Sequence, residues 1–137
     1  MKLAIVGSRG FEDYELLKKY VLSKVDIDEV EMIVSGGAKG ADTLAEQFAL
    51  EFGKNMSLHY PNWEQYGKCA GMIRNQSIVN YADVIMVFWD GASKGTADTI
   101  KKASMNLQKT IYVCRYKEDD RYVEPKEKDW YKEVKGI

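Results

Sequence analysis

Residues 33–46 read IVSGGAKGADTLAE: an apolar run stops at a pair of glycines, a third glycine follows, and a helical pattern begins. From there Ala41, Leu44, Ala45, Phe48, Ala49 and Phe52 keep a three-and-four spacing, which lines one stripe of a helix against a packed surface. Strand, glycine-rich turn and helix, in that order, form the repeating unit of a parallel sheet.

The apolar run here spans residues 31–36, and similar runs stand at 3–7, 56–60, 83–90 and 110–115. LAIV, VIMVFW and TIYVC are almost unbroken, as strands must be when helices cover both faces of their sheet. Between the runs, Leu17, Tyr20, Val21 and Val25 form a helical stripe after Asp13, which is placed to cap that helix. Ile73, Ile78 and Tyr81 show helical spacing within 67–81, and Ile100, Ala103 and Leu107 form another stripe after Thr96. The alternation predicts a doubly wound α/β domain rather than an all-α or sandwich fold.

With 137 residues, 45% hydrophobic and 30% charged, the chain has the length and balance of one globular domain. That domain is expected over 1–116. Residues 117–137 are a charged tail whose Trp130 and Tyr131 are expected to pack back onto it. The start of the sequence shows no secretory pattern and no stretch suits a membrane span, so a cytoplasmic protein without membrane association is expected. Cys69 and Cys114 stand far apart and His59 is the single histidine; neither a disulfide nor a metal site is indicated, and no metal or cofactor is expected. A net charge of −1 and a pI near 5.9 disfavour broad nucleic-acid binding.

In a doubly wound sheet, ligands bind where the carboxyl ends of the strands meet the amino ends of the following helices. The loops predicted there hold seven of the eleven glycines, so the ligand contacts are sought among them. Gly7, Ser8 and Arg9 follow the first strand. Ser35, Gly36, Gly37, Lys39, Gly40 and Asp42 follow the second, and Asp90, Gly91, Ser93, Lys94, Gly95 and Thr96 follow the fourth. Glycines let backbone amides approach an anion, and helix amino termini add unpaired N–H donors. Two such loops suggest a phosphate cradle, although neither GxxxxGK[ST] nor GxGxxG is matched. Arg9, Lys39, Lys68, Arg74 and Lys94 fall near the same edge. Arg74, with Asn75 beside it, lies on a largely apolar helix face, where an arginine calls for an anionic partner. Asp42 is read either as a helix cap or as a partner for a ribose hydroxyl. Phe11, Tyr60, Trp63, Tyr66 and Trp89 stand near these loops, and one or two of them are candidates to stack on a base. His59 is read as structural.

The stretches GSRGFED, IVSGGAKGADTLAE, HYPNWEQYGKCAGMIRNQSIV and FWDGASKGTADTI resemble the SLOG superfamily, specifically its small YspA-type, cpYpsA-related proteins. The resemblance implies a Rossmann-like three-layer sandwich, with a five-stranded, mainly parallel sheet and helices on both faces; the connection rules of a doubly wound sheet put its first and fourth strands side by side. The resemblance also implies a nucleotide or nucleotide-derived ligand and, more weakly, a homodimer. Related Lonely Guy phosphoribohydrolases use an arginine and a PGGxGTxxE loop. Arg74 matches the arginine by position, and Gly95 with Thr96 match the GT. Thr99 stands where the glutamate would be, with Asp98 beside it. The expected function is therefore binding of a phosphoribosyl or ADP-ribose-type ligand, as a sensor or sequestering protein. Two alternatives remain. One is N-glycosidic hydrolysis of nucleotides, with Arg74 and Asp98, or else Asp90 or Asp42, as catalytic groups. The other is a single-stranded nucleic-acid module like the DprA-type relatives.

Overall fold

A computed structural model describes residues 1–116 and the backbone of a short strand at 133–135. The expected tail contacts of Trp130 and Tyr131 lie outside the described residues. Five parallel strands form the sheet: β1 (Lys2–Gly7), β2 (Met32–Ser35), β3 (Asn55–Leu58), β4 (Val84–Trp89) and β5 (Thr110–Arg115). A sixth strand, β6 (Glu133–Lys135), joins antiparallel to β5 at the edge. The order is β3-β2-β1-β4-β5-β6, a Rossmann-like α/β arrangement. The chain winds outward from β1 to β3 and then returns to place β4 on the other side of β1. The expected adjacency of the first and fourth strands is thus present, with Leu3 beside Val84 and Gly7 beside Phe88.

Alternation along the strands divides the core into two layers. Leu3, Ile5, Ile33, Met86 and Phe88 pack with Leu17 and Val21 of α1 (Tyr14–Lys24) and with Ala45 and Phe48 of α2 (Ala41–Phe52). Ala4, Val6, Val34, Ile85 and Val87 face the opposite way, onto Ile78 and Val79 of α4 (Ala70–Tyr81) and Ile100 and Ala103 of α5 (Lys94–Ser104). Period-two burial on both faces explains the unbroken apolar runs. A single helical turn, α3 (Trp63–Tyr66), precedes α4.

The helix ends follow local chemistry. Asp13 caps α1 as expected, its carboxylate accepting from the Leu16 N–H at 3.0 Å. Gly53, at φ 66°, closes α2 in the left-handed conformation, the usual glycine stop. Three expectations need correction. The segment 67–81 is not one helix, because a 3-10 turn at Gly67–Cys69 leads into α4. Helix α5 begins at Lys94 with Ser93 as its cap, so Gly95 and Thr96 lie inside its first turn. It also stops at Ser104, where Asn106 forms a turn by accepting the Gln108 N–H. Leu107 is therefore exposed rather than part of the stripe.

The first turn after β1 admits no side chain at Gly7, since a Cβ there would run into the carbonyl oxygen of Phe88 on β4. Gly7→Ala should lower the unfolding free energy by about 3 kcal/mol by forcing the two strands apart. Gly10→Ala, with nothing within 4 Å of the added carbon, should change it by less than about 0.5 kcal/mol. Urea midpoints of the two variants check the contrast.

Candidate functional site

The switch in strand order leaves a cleft of about 410 Å³ beyond the carboxyl ends of β1 and β4. Val6 and Gly7 line it from β1, and Arg9 and Gly10 from the loop that follows. Ala38 and Asp42 come from the β2–α2 connection, and Arg74, Asn75 and Ile78 from α4. Asp90, Ser93, Gly95 and Thr99 complete the wall from the β4–α5 side. Helices α2 and α5 both start at this cleft, and neither has a side-chain cap on its first-turn amides. Uncapped helix amino termini present N–H donors and the positive end of the helix dipole, which suits an anion.

Two of the expected contact residues brace the loops instead of lining the cleft. Ser8 and Ser35 are buried. The Ser8 hydroxyl accepts the Asp90 N–H at 3.2 Å, which ties the first loop to the fourth. The Ser35 hydroxyl accepts the Gly37 N–H at 3.3 Å and so shapes the glycine turn. Gly36 is buried and Gly37 exposed in that turn. Lys39 is exposed on its loop and Lys94 at the first position of α5, both outside the lining, and Lys68 is exposed after α3. Phe11 is a core residue stacked on Phe88 at 4.8 Å. Gly91, at φ 85°, lies against Arg115.

Arg74 is half-buried. Its Nη1 donates to the Gly36 carbonyl at 3.0 Å and its Nε to Asn75 Oδ1 at 3.0 Å. Asn75 in turn donates to the Gly95 carbonyl at 3.3 Å and to Asp98 Oδ2 at 3.0 Å. Asp98 also pairs with Lys102 one turn along α5, so this carboxylate belongs to a brace between α4 and α5 and lies outside the cleft lining. Asp90 does line the cleft, and its Oδ1 accepts from the Ala92 and Ser93 N–H groups at 2.8 Å each. Thr96 is buried with its hydroxyl on Ser93.

Asp42 does not cap α2. Gly40 holds the capping position, and Asp42 follows at the second helical position, reaching back so that its Oδ2 accepts the Ala38 N–H at 3.0 Å. The residue is 5% exposed, and its Oδ1 has no hydrogen-bond partner of good geometry among the described residues. Burial raises its pKa from 3.8 to about 6, against the pull of the Ala38 N–H, the Arg74 charge and the nearby Gly36 N–H. Burial likewise draws the Arg74 pKa below its usual value; Asp42 opposes that shift and the like charge of Arg9 adds to it. A buried carboxylate oxygen without a donor carries a desolvation penalty that a ligand hydroxyl would relieve. Thr99 was missed as a lining residue. Its hydroxyl donates to the Gly95 carbonyl at 3.3 Å, and the loop resemblance that put it in the glutamate position was the available signal. Among the described residues, no group of three or more His, Cys, Asp or Glu side chains could hold a metal ion, and no helix is long and apolar enough to cross a membrane.

A profile of the YspA, cpYpsA-related SLOG family matches residues 1–66. Gene 61 protein of Mycobacterium phage D29 is 32% identical over 109 residues, covering 74% of this chain and 87% of the phage protein. The chain belongs to the YspA, cpYpsA-related SLOG family. No solved structure matches it. The SLOG profile ends at α3, so it spans the β1–α1 and β2–α2 loops but stops before Arg74 and the β4–α5 turn. Family membership points to a fold that holds nucleotide-related ligands.

The raised pKa of Asp42 has a definite sign. The folded chain holds this proton more tightly than the unfolded chain does, so the group favours folding most below about pH 4, and the advantage is lost as pH rises through 6. Two units correspond to about 3 kcal/mol. Asp42→Asn, which cannot ionise, should gain about 2 to 3 kcal/mol relative to the unaltered protein between pH 4 and pH 7. Urea titrations at the two pH values measure the change, and a constant difference would mean that Asp42 titrates normally.

Proposed function

We propose that this SLOG chain binds a nucleotide-derived ligand of the phosphoribosyl or ADP-ribose type, as a sensor or sequestering protein rather than as an efficient hydrolase. The observation that carries the reading is the convergence of two uncapped helix amino termini with Arg9 and Arg74 on one cleft. A volume of about 410 Å³ falls within the range of small-molecule sites. In this reading the phosphate lies on the 36–40 and 91–96 loops, Arg74 adds a charge-assisted hydrogen bond, and a ribose hydroxyl donates to the unpartnered Oδ1 of Asp42. A homodimer and a cytoplasmic setting fit the same reading.

The chemistry of the cleft favours binding over base cleavage. Hydrolysis of an N-glycosidic bond needs a carboxylate that stabilises the cationic transition state. The glutamate position is Thr99, Asp98 is held by Asn75 and Lys102, and the Asp90 Oδ1 serves two backbone N–H groups. Asp42 is the carboxylate left for hydrolysis, and its pKa near 6 together with its neighbour Arg74 suits a ribose contact.

Calorimetry with AMP and ADP-ribose tests the reading. Arg74→Ala should weaken binding by about 1.5 to 3 kcal/mol while the fold is retained, and free base should not accumulate with the unaltered protein. Unchanged affinity would return Arg74 to a purely structural role. Rapid base release that is abolished by Asp42→Asn would establish the hydrolase instead.

A further inference from the structure

Arg74 forms a wall of two spaces. One is the cleft at the sheet edge, and the other is a recess of about 300 Å³ between β3, α3 and α4. Leu58, Tyr60, Tyr66 and Ile73 give the second space its apolar and aromatic surface, beside a comparable polar share from His59, Asn62, Arg74 and Ser77. Both ring nitrogens of His59 are engaged, 3.1 Å from the Ser57 hydroxyl and 2.7 Å from that of Ser77, and burial lowers its pKa.

Tyr60 links this recess to the glycine loop. A Cβ on Gly37 would overlap the Tyr60 ring, so the ring packs directly against the backbone of the β2–α2 turn. Yet Tyr60 is 65% exposed and Tyr66 is 42% exposed. An aromatic ring anchored along one side and open elsewhere is costly to leave in water and well suited to stacking. Of the five aromatic residues near the site, Phe11 is consumed by the core, Trp89 donates to the Ser93 carbonyl and packs with Arg115, and Trp63 is exposed outside the lining of either space. Tyr60 and Tyr66 are the ones that line a space next to Arg74.

We propose that the Tyr60–Tyr66 recess is the base subsite of the ligand, which straddles Arg74 with its phosphate in the cleft and its aromatic base against Tyr60. The inference rests on the reading of the cleft given above, and it narrows the ligand to one carrying a base, as opposed to a sugar phosphate alone.

Calorimetry with two probes, AMP and ribose 5-phosphate, separates the two claims. On the unaltered protein AMP should bind more tightly. Tyr60→Ala should weaken AMP about ten-fold, the scale of one base–aromatic stack, and leave ribose 5-phosphate unchanged. Tyr60→Phe should retain the affinity for AMP, and melting curves confirm that each variant is folded. Equal binding of the two probes by the unaltered protein overturns the base subsite and leaves the cleft reading standing. So does AMP affinity that is indifferent to Tyr60→Ala, or an equal loss for both probes. Failure of both probes to bind the unaltered protein overturns the cleft reading and the subsite with it.

Discussion

The hydrogen bonds of Ser8 decide where each loop of the cleft can go. Its N–H donates to the Phe88 carbonyl at 2.9 Å, its hydroxyl accepts the Asp90 N–H at 3.2 Å, and its carbonyl accepts the Phe11 N–H at 3.2 Å and the Ala41 N–H at 3.5 Å. A serine this deeply buried must have its polar atoms satisfied, and here the partners are Phe11 in its own loop, Phe88 and Asp90 at the end of β4, and Ala41 at the start of α2. The β1–α1, β2–α2 and β4–α5 connections are therefore held against one another before any ligand arrives. Gly7 permits the approach of β4, and Gly40 passes so close to the Ser8 and Arg9 carbonyls that a side chain would collide with them. A cleft fixed in this way is preorganised, which lowers the ordering cost of binding.

Polar groups at the cleft are left with capacity that folding does not use. The first turns of α2 and α5 have no side-chain cap, and Asp42 keeps a buried oxygen without a well-aligned donor. Arg74 stands beside that carboxylate with its guanidinium half-buried. Such an arrangement is unfavourable for the empty protein and is offset when a ligand supplies both an anion and a hydroxyl. A phosphate joined to a ribose supplies both.

Much of the fold was legible because its signals are local. The unbroken runs LAIV and VIMVFW report burial on both faces, and the stripe from Ala41 to Phe52 reports one packed helix face. Asp13 announced its helix through capping chemistry alone. What was hidden depends on contacts between distant segments. Asp42 looked like a helix cap because capping acids occur at such positions, and only the return of α4 beside the glycine loop brings it within the electrostatic reach of Arg74, 32 positions later. Asp98 looked available for chemistry because its partners, Asn75 and Lys102, lie on a neighbouring helix and one turn along its own. Ser8 and Ser35 carried the composition of a phosphate loop while serving as its internal braces. The end of α5 was overestimated because Leu107 continues the apolar spacing past a turn made by Asn106.

The central claim is that the cleft at the β1–β4 switch receives the phosphate of a nucleotide-derived ligand. A crystal structure of the chain grown with saturating ADP-ribose tests it most directly. The account predicts phosphate density at the amino termini of α2 and α5, within hydrogen-bonding reach of Arg74. Phosphate density elsewhere on the surface, or a cleft that stays empty at saturation, would contradict it.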